Sequence, residues 1–205
     1  MDQEQLIAVI REYYSSYSET SVKKLEKKAL RKVVASSKSA EEKDMYLEEL
    51  KRVFDGYAVK DWVDEEACCY EFHVLLHHNQ DLLDDDVNLI KELGGIRYDL
   101  LVYISTLAPY CFFYIDKTQY TDEGKWFFSV VDNYSDEMKS IVKSATSFFE
   151  NKGYRIVSAD LACKIIPDIE SQYKSLGSFS IFNGLFSDLL NHYQDSCSLY
   201  MESRE

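Results

Sequence analysis

The sequence predicts an α+β protein in which N-terminal helices precede an antiparallel sheet that packs against helices on one face. Two observations lead to this fold class. Apolar residues in the first 56 positions recur at helical spacing, and no proline or glycine occurs before Gly56. From residue 67 the apolar spacing changes to two, and short polar turns separate the alternating segments. We therefore expect a meander of about four strands, with room for more.

Residues 1–56 form a helical segment that we expect to pack on an α+β domain spanning 57–205. The first of its three predicted helices runs from residue 3 to about 18, and the third ends at Gly56. The second helix between them is amphipathic, with an apolar stripe formed by Val22, Leu25, Ala29, Leu30 and Val33. Its basic face carries Lys23, Lys24, Lys27, Lys28, Arg31 and Lys32. We expect this basic face to be solvated or to lie against the acidic body of the chain.

The alternating segments that follow predict the sheet. Strands are predicted at 67–76, 96–105, 110–116 and 125–131, the third apolar on both faces and so central. A helix at 84–93 begins with three aspartates and ends at Gly94-Gly95. A longer helix at 133–152 has Phe148 and Phe149 in its apolar stripe.

The last fifty residues give shorter patterns. They predict a strand at 154–157, a helix at 158–164, a helix opened by Pro167, a strand at 178–182, a helix at 185–193 and a frayed end.

Charge narrows the class of partner. The net charge is −13, yet residues 1–56 hold eleven acidic and eleven basic side chains, so the whole excess lies in 57–205. Phosphates repel such a surface, so we expect no nucleic acid as a partner. The short basic helix lacks Trp and Phe on its apolar side, and we expect no membrane contact. A basic protein partner fits the acidic excess best.

Several features favour a cytoplasmic protein. Residues 1–5 are acidic and polar, unlike a secretory signal. The apolar stretch at 100–115 is interrupted and shorter than the roughly 20 residues of a spanning helix. The five cysteines form no C-x-x-C pair, and we expect all of them to be reduced thiols.

Histidines and aspartates suggest a metal site that the spacing does not support. His73, His77 and His78 precede the Asp84–Asp86 run, and imidazole and carboxylate are common metal ligands. No H-E-x-x-H motif is present, and carboxylates in a first helical turn have a structural role. We expect neither a metal nor another cofactor.

Polar side chains on two predicted strands form the strongest candidate for a chemical site. Glu71 and His73 project to one side of their strand, and Arg97 and Asp99 share that relation on the next. If the strands are neighbours, the four meet near Tyr103, and a histidine beside a carboxylate is the material of a general base. The simpler interpretation is a solvated sheet face with paired charges, as in half-buried antiparallel sheets.

No catalytic motif decides the function. The chain lacks a Walker loop, a G-x-S-x-G elbow and a G-x-G-x-x-G fingerprint. Tyr13, Tyr14 and Tyr17 cannot all face inward on one helix, and exposed tyrosines are enriched in protein interfaces. The preferred hypothesis is a non-enzymatic protein-binding module, in the manner of an immunity-type inhibitor of a basic protein. The alternative is a small enzyme or ligand-binding domain using Glu71, His73, Arg97 and Asp99.

Overall fold

The computed structural model describes residues 2–62, 67–77 and 86–188 and shows a mixed α+β fold. Its helices are α1 Gln3–Tyr13, α2 Ser21–Ser36, α3 Ala40–Val53, α4 Val87–Glu92, α5 Asp136–Asn151, α6 Ala159–Ala162 and α7 Ile181–Leu185. Its strands are β1 Ala58–Trp62, β2 Cys69–Leu75, β3 Ile96–Ser105, β4 Tyr110–Tyr120, β5 Trp126–Val130 and β6 Arg155–Ile156. The predicted order, helices first and an antiparallel meander after them, is confirmed.

Side-chain caps define where the longer helices begin. Asp2, Thr20, Ser39 and Ser135 each accept a hydrogen bond from a backbone N–H in the first turn of α1, α2, α3 and α5. The helix α1 ends at Tyr13, earlier than the predicted residue 18. The chain turns away there because Ser16 pairs with Ile169 and the Tyr17 N–H donates to the Asp168 carbonyl, at 2.7 Å.

The sheet follows the order β1-β2-β3-β4-β5, with every neighbouring pair antiparallel. The short β6 pairs in parallel with the start of β4. The sequence does not predict β1, in which Val59 is the one buried residue and no clear alternation appears. The strand β4 continues past its predicted end at residue 116 to Tyr120, because 116–120 pair with β5.

Helices cover both faces of the sheet, one face more than the sequence led us to expect. One face carries Phe72, Val102 and Ile115, which form a core with α3 and α5. The other face carries the aromatic rings of Tyr103 and Phe112, which pack against Phe182 of α7 at centroid distances of 5.2 and 5.6 Å. Rings of this size on the second face need apolar cover, and α1, α6 and α7 supply it.

The C-terminal elements differ from the predicted ones. Residues 178–182 do not form a strand, because a capping box between Ser180 and Asn183 starts α7 at Ile181. Pro167 lies in a turn and does not open a helix. The helix predicted at 185–193 falls partly outside the described residues, and α7 ends at Leu185. The segments 154–157 and 158–164 do contain β6 and α6.

The cysteines differ from the expected all-reduced state. Cys68, Cys69 and Cys111 are buried free thiols, whereas Cys163 is disulfide-bonded. Within the described part of the chain, no helix is long and apolar enough to cross a membrane.

Candidate functional site: a basic cleft beside a buried polar cluster

The four polar residues singled out in the sequence lie on one face of the sheet. In the β2–β3 register, Glu71 lies opposite Tyr103 and Leu75 opposite Asp99, so alternation places all four side chains on that face. The next strand adds two polar residues, since Asp116 lies opposite Asp99 and Thr118 opposite Arg97. The sheet therefore assembles a larger polar cluster than the sequence suggested.

Two short side-chain contacts organise this cluster, a hydrogen bond between Glu71 and His73 and an ion pair between Arg97 and Asp99. The Glu71 Oε1 and His73 Nε2 atoms are 2.8 Å apart, and the Arg97 Nε–H donates to Asp99 Oδ2 over 2.8 Å. Glu71, Arg97 and Asp99 are between 3% and 6% exposed, so the expected solvated sheet face is not found. Charges this buried need partners, because an isolated buried charge costs several kcal/mol.

Asp116 occupies the least favourable electrostatic position in the cluster. Burial, and then the nearby Asp99 carboxylate, raise the pKa of Asp116 from 3.8 to about 6, although Arg97 and His73 lower it. The Thr118 hydroxyl lies 3.5 Å from Asp116 Oδ2. This carboxyl therefore titrates near neutral pH.

One face of the His73 ring is covered by an aromatic side chain. The indole ring of Trp62 stacks on its imidazole with the centroids 5.2 Å apart and the planes 9° apart. Among the described residues, no group of three or more His, Cys, Asp or Glu side chains could hold a metal ion. Of the metal candidates in the sequence, His78, Asp84 and Asp85 lie outside the described residues.

Beside this cluster, α2 spans a cleft with a volume of about 1110 Å³. The helix lies with its basic face toward the cleft and its apolar stripe toward solvent. Leu25 is 68% exposed and Val33 is 62% exposed, whereas Ala35 is the one buried residue of α2. The orientation is the reverse of that of an ordinary amphipathic surface helix, whose apolar stripe faces the core.

Ion pairs on the basic face hold α2 in this orientation. Lys27 Nζ is 2.9 Å from Glu19 Oε1, Lys24 Nζ is 3.8 Å from Glu170 Oε1, and Arg31 Nη1 is 3.7 Å from Asp188 Oδ2. The Arg31 guanidinium also lies over the ring of Tyr14, 4.1 Å from the centroid. Polar contacts rather than apolar packing therefore fix this helix to the body.

The described lining of the cleft is positively charged. Its basic side chains are Lys24, Lys27, Lys28, Arg31, Lys32, Lys38 and Lys43, against three carboxylates from Glu71, Glu170 and Asp188. Aromatic side chains complete the walls: Tyr13, Tyr14, Trp62, Tyr70 and Tyr173. Of the four residues in the polar cluster predicted from sequence, Glu71 borders the cleft.

The three tyrosines predicted to bind a partner have different surroundings. Tyr14 is buried and packs on Phe179, with ring centroids 4.8 Å apart. Tyr13 is half-buried and lines the cleft. Tyr17 is 61% exposed, with the Lys24 ammonium 5.0 Å from its ring centroid.

Comparison with known proteins finds no relative of this chain. No protein-family model, curated protein or solved structure matches the chain. The sequence predicts the basic face of α2 but not the cleft. The sequence signal that points to the cleft is the concentration of six cations on a 16-residue helix within a chain of net charge −13.

Proposed function

We propose that this chain is a non-enzymatic protein-binding module that docks its partner on the outer face of α2. The apolar stripe of α2 supports this proposal, because Val22, Leu25 and Val33 are each more than 60% exposed on one side of a helix. Each exposed Å² of apolar surface costs roughly 25 cal/mol relative to burial. Contiguous apolar surface of this kind is typical of protein interaction sites.

The charges around the stripe favour a particular partner surface. Successive helical residues are about 100° apart, so Lys23 and Lys32 border the stripe on its two sides, and the exposed Glu26 lies within it. An apolar patch rimmed by acidic side chains would complement this arrangement. The net charge alone favoured a basic partner, but the acidic excess lies in 57–205 rather than on α2.

A separate protein suits the stripe better than a bilayer or a second copy. A chain of net charge −13 is repelled by anionic lipid, and the stripe has no Trp or Phe anchor. Two copies joined stripe to stripe would bring their bordering lysines together. Tyr17, one of the tyrosines predicted to bind a partner, lies with its ring against Lys24 on the cleft side of α2 and so does not belong to the stripe.

The enzyme alternative has weaker support from the geometry. Glu71 pairs with His73, and Arg97 pairs with Asp99, so the four side chains stabilise one another. Only Glu71 of these four borders the cleft. A reaction at this cluster would need a substrate to reach buried ion pairs, which the described cleft lining does not provide.

Site-specific photo-crosslinking in the native host tests the proposal. A photoreactive residue replaces Leu25, and a matched control replaces Met45 of α3, which is also apolar, helical and exposed. We expect a discrete adduct from position 25 and none from position 45. The crosslinked protein, once purified, should bind the chain with an affinity that Leu25→Asp lowers at least tenfold.

Three outcomes would contradict the proposal. One is an adduct between two copies of this chain, together with a dimer in sedimentation that Leu25→Asp dissociates. Another is binding to phospholipid vesicles that requires Leu25. The third is unchanged affinity of the Leu25→Asp variant for the crosslinked protein.

A further inference from the structure

We infer that the cleft beneath α2 binds a phosphorylated small molecule that carries an aromatic ring, the chemistry of a nucleotide. This site lies on the face of α2 opposite the apolar stripe, so it is independent of the proposed protein-docking surface. The cleft volume of about 1110 Å³ slightly exceeds that of ordinary ligand sites, roughly 300–1,000 Å³. It can therefore enclose a ring, a sugar and a short phosphate chain.

Charge is the first argument for an anionic ligand. Seven of the 23 basic residues in a chain of net charge −13 line this one cleft, with three carboxylates among the described lining. Like charges gathered around one cavity repel each other, and a bound anion relieves that repulsion.

Arg31 is the second argument. Its Nε–H is buried and has no hydrogen-bond acceptor among the described residues. The Asp188 carboxylate lies at 3.7 Å, within ion-pair range but beyond good hydrogen-bond length. The ring of Tyr14 holds the guanidinium plane in place, and Arg31 lines the cleft. Planar donors of this kind match phosphate oxygens.

Two lysines add donors at the rim. Lys28 and Lys32 lie one helical turn apart on α2, both exposed, and neither makes an ion pair or a side-chain hydrogen bond with a described residue. Lys27 and Lys43, by contrast, pair with Glu19 and Asp61. Arg31, Lys28 and Lys32 together can contact more than one phosphate group, which favours a polyphosphate over a single carboxylate.

Aromatic side chains provide a place for a ring. Trp62 lines the cleft and is 45% exposed although one of its faces stacks on His73. Tyr173, another lining residue, is 44% exposed. Stacking of a base on such a ring is worth roughly 1–3 kcal/mol. Exposed rings beside phosphate-binding cations favour a nucleotide over an acidic peptide.

Calorimetric titration of the full chain tests this inference with three probes. Inorganic pyrophosphate carries the charge, adenosine diphosphate carries charge and ring, and polyglutamate is an acidic peptide. We expect adenosine diphosphate to bind more tightly than pyrophosphate, and polyglutamate to bind at least tenfold more weakly than either. The Trp126→Phe variant leaves Trp62 as the only tryptophan, so a change in its fluorescence on binding reports the cleft directly.

Variants of single cations locate the binding. Lys28→Ser and Arg31→Lys should each weaken adenosine diphosphate binding about tenfold, since charge-assisted hydrogen bonds are lost. Lys23→Ser removes a lysine from the same helix outside the cleft lining, and it should change the affinity less than twofold. Lys28 is exposed, so its variant should keep the melting temperature of the parent chain.

Several results would overturn the inference. The absence of binding by both pyrophosphate and adenosine diphosphate at millimolar concentration is one. Equal losses in Lys23→Ser and Lys28→Ser would show nonspecific attraction to α2. Tighter binding of polyglutamate than of both phosphate probes would assign the cleft to an acidic peptide.

Discussion

Gly184 of α7 lies against Ile10 of α1 so closely that a Cβ atom at position 184 would be 2.6 Å from Ile10 Cγ2. All three nearest atoms belong to the Ile10 side chain, at 2.6–2.8 Å, and Ile10 is fully buried. The backbone of α7 therefore meets α1 directly. This contact joins the first helix to the last described one.

Gly184→Ala should lower the free energy of unfolding by about 1–3 kcal/mol, because the added methyl group overpacks the α1–α7 contact. Helix propensity alone predicts the opposite sign, since Ala is favoured over Gly by about 1 kcal/mol. Urea denaturation measures the change. Ile10→Ala removes the atoms that would clash, so the double variant should cost less than the sum of the two single variants. A more stable Gly184→Ala variant would contradict the contact.

Asp116→Asn should stabilise the protein at pH 7 and lose that advantage in acid. The folded-state pKa of Asp116 is about 6, above its ordinary 3.8. Below pH 3.8 the carboxyl is protonated in both the folded and the unfolded state, so the protein keeps its full stability there. As pH rises through 6 the buried carboxyl must ionise, and that stability is lost. Asparagine stays neutral, so the variant should gain about 1–3 kcal/mol at pH 7. Thermal melts from pH 4 to pH 8 measure the difference, which must shrink as pH falls. A gain that grows in acid would contradict the assignment.

Phe149→Ala should cost about 3–5 kcal/mol of unfolding free energy, and Phe148→Ala about 1–2 kcal/mol. Phe149 is fully buried between Phe113, Phe148 and Tyr154, with centroid distances of 5.0–6.1 Å. Phe148 is half-buried, although both residues belong to the apolar stripe of α5. Denaturant titrations of the two variants compare them directly. Equal costs would mean that α5 is rotated from the orientation described.

Leu25→Ala should change the unfolding free energy by less than about 0.5 kcal/mol, whereas Leu50→Ala should cost about 2–5 kcal/mol. Leu25 on α2 is 68% exposed, and Leu50 on α3 is fully buried. Both leucines belong to apolar stripes in the sequence. The comparison by chemical denaturation therefore tests the outward orientation of α2. A large cost at Leu25 would show that the stripe packs on the body.

The elements predicted well from the sequence are those in which apolar and polar side chains recur with a clear period. Alternation gave β2 and β3, and helical spacing with capping residues gave α3 and α5. It failed at 179–182, where all four residues are at most 1% exposed. The alternation of serine with apolar residues at 178–181 predicts a strand, but it does not reflect a solvated face here, and the Ser180–Asn183 capping box starts α7 instead.

The polar cluster and the cleft differ in how far the sequence could predict them. Glu71, His73, Arg97 and Asp99 share a face because strand alternation and the meander order fix it. The position of Asp116 beside them depends on the β3–β4 register, which the sequence pattern does not predict. The cleft depends on the orientation of α2, which ion pairs with residues as distant as Asp188 determine. Local periodicity carries no information about such contacts.

The α1–α7 contact also sets an order of events during synthesis. Leu6 and Ile10 are fully buried in a core completed by residues 179–186, about 170 positions later. At a translation rate of about 5–20 residues per second, roughly 10 to 30 s pass between the synthesis of α1 and the synthesis of the residues that bury it. The meander can pair as it emerges, since its strands are neighbours in sequence. The helix α1 is thus synthesised well before the residues that bury it, and its apolar face is available to a chaperone throughout that interval.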